Sequence, residues 1–174
     1  MLVDDILLWG HSRYIIKEKR KKWGIMNELI QLLDPNLTYE YHELMGNQLI
    51  IQVSSNRIEA RCAYCGTSSS KVHSVYPKSF QDLPIQGKKV WIHLENRKFF
   101  CINSNCSHKT FSERFECIAD KAKKTKRLEE EILTIAIHCS SVTASKILKK
   151  STVDISKSTI CQLLLKERLR FRSS

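Results

Sequence analysis

Two short stretches of the chain carry thiols at chelating spacing. RCAYCG (61–66) places Cys62 and Cys65 with two residues between them, and CINSNC places Cys101 and Cys106 with four. A lone pair of this kind can form half a metal site, a redox couple or a disulfide. A thioredoxin-type couple needs a strand–helix–strand setting, and none is legible around Cys62 and Cys65. Both spacings suit zinc knuckles, in which a short loop turns two thiolates toward one centre. Thirty-five residues separate the pairs, and they contain two strand patterns and a turn, so a hairpin can bring the ends together. Loop-closure entropy rises only slowly with length, so the insert is no obstacle.

The expectation is one structural zinc ion held tetrahedrally by Cys62, Cys65, Cys101 and Cys106. Such a centre is coordinatively closed and leaves no position for water or substrate. His73, His93 and His108 are the alternative ligands. Cys117, Cys139 and Cys161 read as small apolar residues. The HLE of residues 93–95 has the first half of a zinc-deaminase pattern, but no proline precedes Cys101 and the thiol spacing is wrong.

Compartment and charge frame that site. The densest apolar run, ILTIAI (132–137), falls far short of the ~20 residues of a spanning helix. The first residues carry acidic charge before a very short apolar patch, unlike a secretory signal. A cytoplasmic protein with reduced thiols follows, and seven cysteines would not close into disulfides. A net charge of +11 and a pI near 9.4 favour a polyanionic partner, nucleic acid or anionic lipid, over a merely solubilising surface.

The positioning elements divide into a β-rich and a helical part. NELIQLL (27–33) is a short amphipathic helix stopped near Pro35. LIIQVSS (49–55), KVHSVY (71–76) and KKVWIHLENRKFF (88–100) are strands, with DLPIQG (82–87) as the turn feeding the last. Beyond Phe115 the periodicity is helical. One helix spans about 128–139, a second follows a cap at Ser141, and a third starts near Ser156. The fold class expected is therefore α+β, a small β-rich zinc-ribbon-like domain followed by an all-α helix-turn-helix module. Residues 1–25 read as a mis-annotated extension or a basic arm, 26–56 as a helix and strand lead-in, 57–118 as the zinc domain, and 119–174 as a basic link plus helix-turn-helix.

In the helical part, STVDI (151–155) makes the corner, with Ile155 as its apolar anchor. Ser156 caps the third helix and presents Lys157, Ser158, Thr159 and Gln162, the positions that reach base edges in such a motif. Lys146, Lys149, Lys166, Arg168 and Arg170 are candidate phosphate contacts, as are Lys121, Lys123, Lys124, Lys126 and Arg127 of the link. A generic three-helix bundle with solvated lysines is the rival reading. The corner also lacks the glycine that this turn often contains.

The blocks CAYCG, DLPIQGKKV, ENRKFFCINSNC and KTFSERF come in that order, followed by a Thr-Lys-Arg stretch and a serine-led helix. Together they resemble the N-terminal part of transposases of the ISL-three family of bacterial insertion sequences, from Cys62 to about Leu165. The resemblance implies a zinc domain on the same four cysteines. It also implies a helix-turn-helix over roughly 128–166 that recognises terminal inverted repeats of double-stranded DNA in the nucleoid. The family's RNase H-like domain, with its Asp-Asp-Glu residues, would lie beyond Ser174. Asp82, Glu95 and Glu113 cannot replace that triad by position. The expected protein is thus a DNA-binding fragment with no catalytic residues, whose partners are DNA and, in addition, intact transposase or a second copy of itself. The alternatives are one half of a split transposase acting with a separately encoded catalytic portion, and a zinc-stabilised protein-interaction module.

Overall fold

The computed structural model describes residues 14–15, 24–150 and 153–172. Most of the segment read as an extension or basic arm lies outside the described residues. The exceptions are β1 (Tyr14–Ile15), which pairs with the end of β2, and Gly24 and Ile25, which open α1 (Gly24–Leu33). β2 (Leu37–Met45) and β3 (Gln48–Ser55) form an antiparallel hairpin. β4 (Ala60–Arg61) pairs with β5 (Ser68–Ser69) in a separate small ribbon. β6 (Val72–Ile85) and β7 (Lys88–Phe100) form a long antiparallel hairpin, and β8 (Thr110–Ser112) folds back on the end of β7.

The main sheet has the order β1-β2-β3-β7-β6, with β8 also on β7. β3 and β7 run parallel, from Gln48 opposite Lys89 to Val53 opposite Leu94. The last main-sheet strand before the first cysteine pair is therefore hydrogen-bonded to the strand that delivers the second. Alternation along β7 turns Val90, Ile92 and Leu94 inward, as the sequence pattern predicts. They meet Ile51, Val53, Phe80 and Leu37, and Ile30 of α1 packs on the same cluster.

The expected turn at 82–87 shrinks to two residues. Gln86 and Gly87 both have positive φ, +49° and +73°, as a tight hairpin turn of the right twist requires. Asp82 to Ile85 belong to β6 instead. Pro77 and Pro84 are tolerated there because β6 ends the sheet order, and an edge strand need not donate every ladder bond.

After β8 the chain crosses back to β6. The Gln81 amide donates to the Lys123 carbonyl at 2.9 Å, and the Thr125 amide donates to the Gln81 carbonyl at 3.0 Å. Asp82, 2% exposed, accepts from the Thr125 hydroxyl at 2.7 Å and from Arg127 Nε at 2.8 Å. Thr125 in turn caps α2 (Lys126–His138), its Oγ1 accepting from the Leu128 amide at 3.3 Å. The basic link is thus a docked strap that starts a helix at a set place on the sheet. Burial lowers the Lys124 ammonium from its ordinary range, and Arg127 is engaged by Asp82.

α3 (Ser141–Lys150) is capped one residue earlier than expected: Ser140 Oγ accepts from the Thr143 amide at 3.2 Å. α4 (Lys157–Arg172) has Ser156 as its cap, accepting from the Thr159 amide at 3.2 Å. The three helices close over Leu128, Ile132, Ala136, Ala144, Leu148, Val153, Ile155 and Ile160, with Leu83 of β6 packed against them. An ion pair between Lys89 and Asp154 ties the segment before α4 to the start of β7. None of the described helices is long and apolar enough to cross a membrane.

Asp82→Ala should strip the buried Thr125 hydroxyl and Arg127 of their shared acceptor. A loss of about 2 kcal/mol is expected in urea unfolding; a change below about 0.5 kcal/mol would show that the strap is held by something else.

Candidate metal centre

Each cysteine pair sits at the tip of a ribbon. Ala60 and Arg61 pair with Ser69 and Ser68, and the turn between them is closed by two backbone bonds, Cys62 N–H to the Thr67 carbonyl (2.9 Å) and Gly66 N–H to the Cys62 carbonyl (2.8 Å). Gly66 has φ +76°, a conformation that side chains rarely adopt, and it lets the turn close directly after Cys65. The second loop joins β7 to β8. Cys101 donates its amide to the Lys109 carbonyl at 2.8 Å, and Cys106 donates to the Asn103 carbonyl at 3.1 Å. The His108 amide points at Cys106 Sγ, 3.5 Å away.

A separate small core anchors both loops. Phe99 and Phe111 lie opposite each other across β7 and β8 with ring centroids 5.8 Å apart, and they pack with Ala60, Cys62 and Cys106. Beneath it Glu113, buried, accepts from Arg97 Nε at 3.0 Å and from the Ser55 hydroxyl at 2.6 Å. That carboxylate fastens the ends of β3 and β7 to the segment after β8.

The four sulfurs Cys62, Cys65, Cys101 and Cys106 lie within 4.8 Å of one another, and none is in a disulfide. Cys62 and Cys106 Sγ are 4.0 Å apart, Cys65 and Cys101 Sγ 3.5 Å. A tetrahedron of thiolates at ~2.3 Å from zinc has sulfur–sulfur edges of ~3.8 Å, a value that the 3.5 Å and 4.0 Å separations bracket. Thr67, through its hydroxyl and backbone, pulls the Cys65 thiol down to about 6. The backbone at Asn103 lowers Cys101, but desolvation and the neighbouring thiols outweigh it and push that group up to about 12. Cys65 and Cys101 are thus pulled in opposite directions, and a divalent cation lets all four sulfurs exist as thiolates. The four thiols are the ligand set of one structural zinc ion.

The histidines lie outside this set. His108 stacks on Tyr64 with centroids 3.4 Å apart, and its Nδ1 is 2.9 Å from the Ser107 hydroxyl. His73 packs edge-on against Phe100, and His93 is half-buried on β7. Cys117 is buried, with its thiol pushed up to about 12 by desolvation and then by Asp34. Cys139, which directly follows α2, donates its thiol to the Ile135 carbonyl. Of the acids weighed above, Asp82 is taken up by Thr125 and Arg127, Glu113 by Arg97 and Ser55, and Glu95 is exposed.

The candidate DNA contacts are dispersed. Lys157, Ser158 and Gln162 are exposed and Thr159 half-exposed on the first turns of α4; Lys146 and Lys149 are exposed on α3. Lys166 lies 3.9 Å from Glu129 of α2. Arg168 is exposed, and the side chain of Arg170 lies outside the described residues.

Paired ribbons presenting four cysteines to one metal define a zinc ribbon. Residues 58–106, less than a third of the chain, match the family model for the zinc-finger of transposase IS204/IS1001/IS1096/IS1165. No curated protein and no solved structure matches the chain.

Cys101→Ser should lose stoichiometric zinc, measured by elemental analysis, together with the folded signal of the ribbon in near-ultraviolet circular dichroism. Cys139→Ala should keep the full metal complement. A chain equally folded in excess chelator would disprove the structural role of the ion.

Proposed function

We propose that this protein recognises double-stranded DNA as the N-terminal, DNA-binding part of an insertion-sequence transposase of the ISL-three type. The observation that carries the reading is the match of residues 58–106 to a transposase zinc finger, borne on four thiols whose spacing suits the ion. Net charge of +11 supports it, since a polyanion is the partner such a surface attracts.

In this reading α3 and α4 act as a helix-turn-helix. Ser156 caps α4 and leaves Lys157, Ser158 and Gln162 facing solvent, while Ile160 is fully buried and Leu163 and Leu164 pack toward α2 and α3. The N-terminal turns of α4 then enter the major groove at a terminal inverted repeat, and Lys146 and Lys149 hold phosphates beside it. The zinc ion does no chemistry here; it supports the scaffold that carries the helices.

Fluorescence anisotropy on a duplex carrying the element's terminal repeats, against a scrambled duplex, tests this. Expected are preference for the repeat and a linear fall of log affinity with log salt, about −0.9 per phosphate contact. Lys157→Ala should weaken the repeat complex by about tenfold, at an unchanged zinc content. Affinity independent of salt would favour a protein partner instead.

A further inference from the structure

A groove of about 730 Å³ opens between the middle of the β6–β7 hairpin, the segment after β8 and the strap that leads to α2. Tyr76 to Ser79 form one wall and residues 112–115 another, and Ala119 to Lys123 run along the third side, with Lys126 at its end. It is far from the recognition turns of α4 in sequence and draws on none of the residues assigned to them.

Its charge is one-sided. Lys78, Lys121, Lys123 and Lys126 line the groove, and among the described residues none of the four is in an ion pair. Arg114 is a fifth cation, 3.6 Å from Asp120. The other acid of the lining, Glu113, is neutralised from behind by Arg97. Four lysines gathered around one concavity repel one another, and the fold holds them there by anchoring the strap: Lys123 gives its carbonyl to Gln81, and Lys121 sits at φ +59°, an uncommon conformation for a side-chain-bearing residue.

The lining has a second unusual feature. Asn96 is fully buried and belongs to the groove. Its Nδ2 donates to the Tyr76 hydroxyl at 2.6 Å, and that hydroxyl donates to Ser112 Oγ at 3.1 Å. Its Oδ1 is the one buried side-chain polar atom among the described residues without a hydrogen-bond partner. Asn96 itself is closed to solvent, but the Tyr76 and Ser112 hydroxyls that it orients add neutral hydrogen-bonding groups to the cationic concavity, as a hydrated phosphate requires.

We propose that this groove is a second DNA-contact surface that takes the sugar-phosphate backbone of one strand, independent of base sequence and separate from α4. The proposal rests on the DNA-binding reading and extends it. Because the strap is bonded both to β6 and to the start of α2, backbone held in the groove would be set in fixed register with the helices.

The test uses the full, zinc-loaded chain and the labelled duplexes described above. Lys78→Gln combined with Lys123→Gln should reduce the salt slope by about 1.8, since each lost phosphate contact removes about 0.9. Repeat and scrambled duplexes should lose affinity by the same factor. A matched pair remote from the groove, Lys88→Gln with Lys109→Gln, controls for net charge and should leave the slope within error of the parent. Zinc content certifies that each variant is folded. A groove variant with the parental slope that still loses affinity on Lys157→Ala overturns the groove alone. Equal losses from the groove and control pairs also overturn it, because net charge would then explain both. A parent chain that binds neither duplex overturns both readings.

Discussion

Four anionic sulfurs gathered within 4.8 Å repel one another unless a cation stands between them. The two cysteine loops depend on this constraint. Neither has an apolar core of its own: the cluster beneath them is Phe99, Phe111, Ala60 and the cysteines themselves. The metal supplies the attraction that a larger domain would draw from buried carbon. Its effect reaches past the loops because Cys101 directly follows β7, which is the centre of the sheet and pairs with β3, β6 and β8. Fixing the end of that strand fixes where the chain turns back toward the helices.

A second joint carries this order onward. One carboxylate, Asp82, accepts from the residue that caps α2 and from the first turn of the same helix. The helix therefore begins at a point set by β6. The Lys89–Asp154 pair makes a further tie from β7 to the segment entering α4. Metal, sheet and helices form a chain of contacts in which each module orients the next. The DNA binding proposed above would benefit from that arrangement, since contacts made by separate parts reinforce one another only when their spacing is held.

Much of this was visible in the residues. The strand pattern of residues 88–100 marked β7, where Val90, Ile92 and Leu94 are buried, and the helical periodicity beyond Phe115 marked α2 to α4. The thiol spacings identified the four ligands and left the histidines as alternatives. β2 stayed hidden because a bulge between Tyr39 and Tyr41 breaks its alternation, and β8 because three residues carry no periodicity. β6 ran longer than its pattern, since prolines that normally punctuate a strand are admitted at a sheet edge. The cap of α3 moved from Ser141 to Ser140, where two adjacent serines offer the same chemistry and only the path of the chain chooses.

What the sequence by itself determined is local: which residues can ligate a soft cation, where periodicity changes from two to 3.6, and how much positive charge must be accommodated. Those properties depend on neighbours a few residues away. Tertiary structure alone decided that β3 lies parallel to β7, that Arg127 answers a carboxylate while Lys123 and Lys126 line a groove, and that Lys78 joins them there beside Asn96. Those outcomes join residues about forty positions apart, and such pairings are set by which surfaces can be buried together, a property of the whole packed chain.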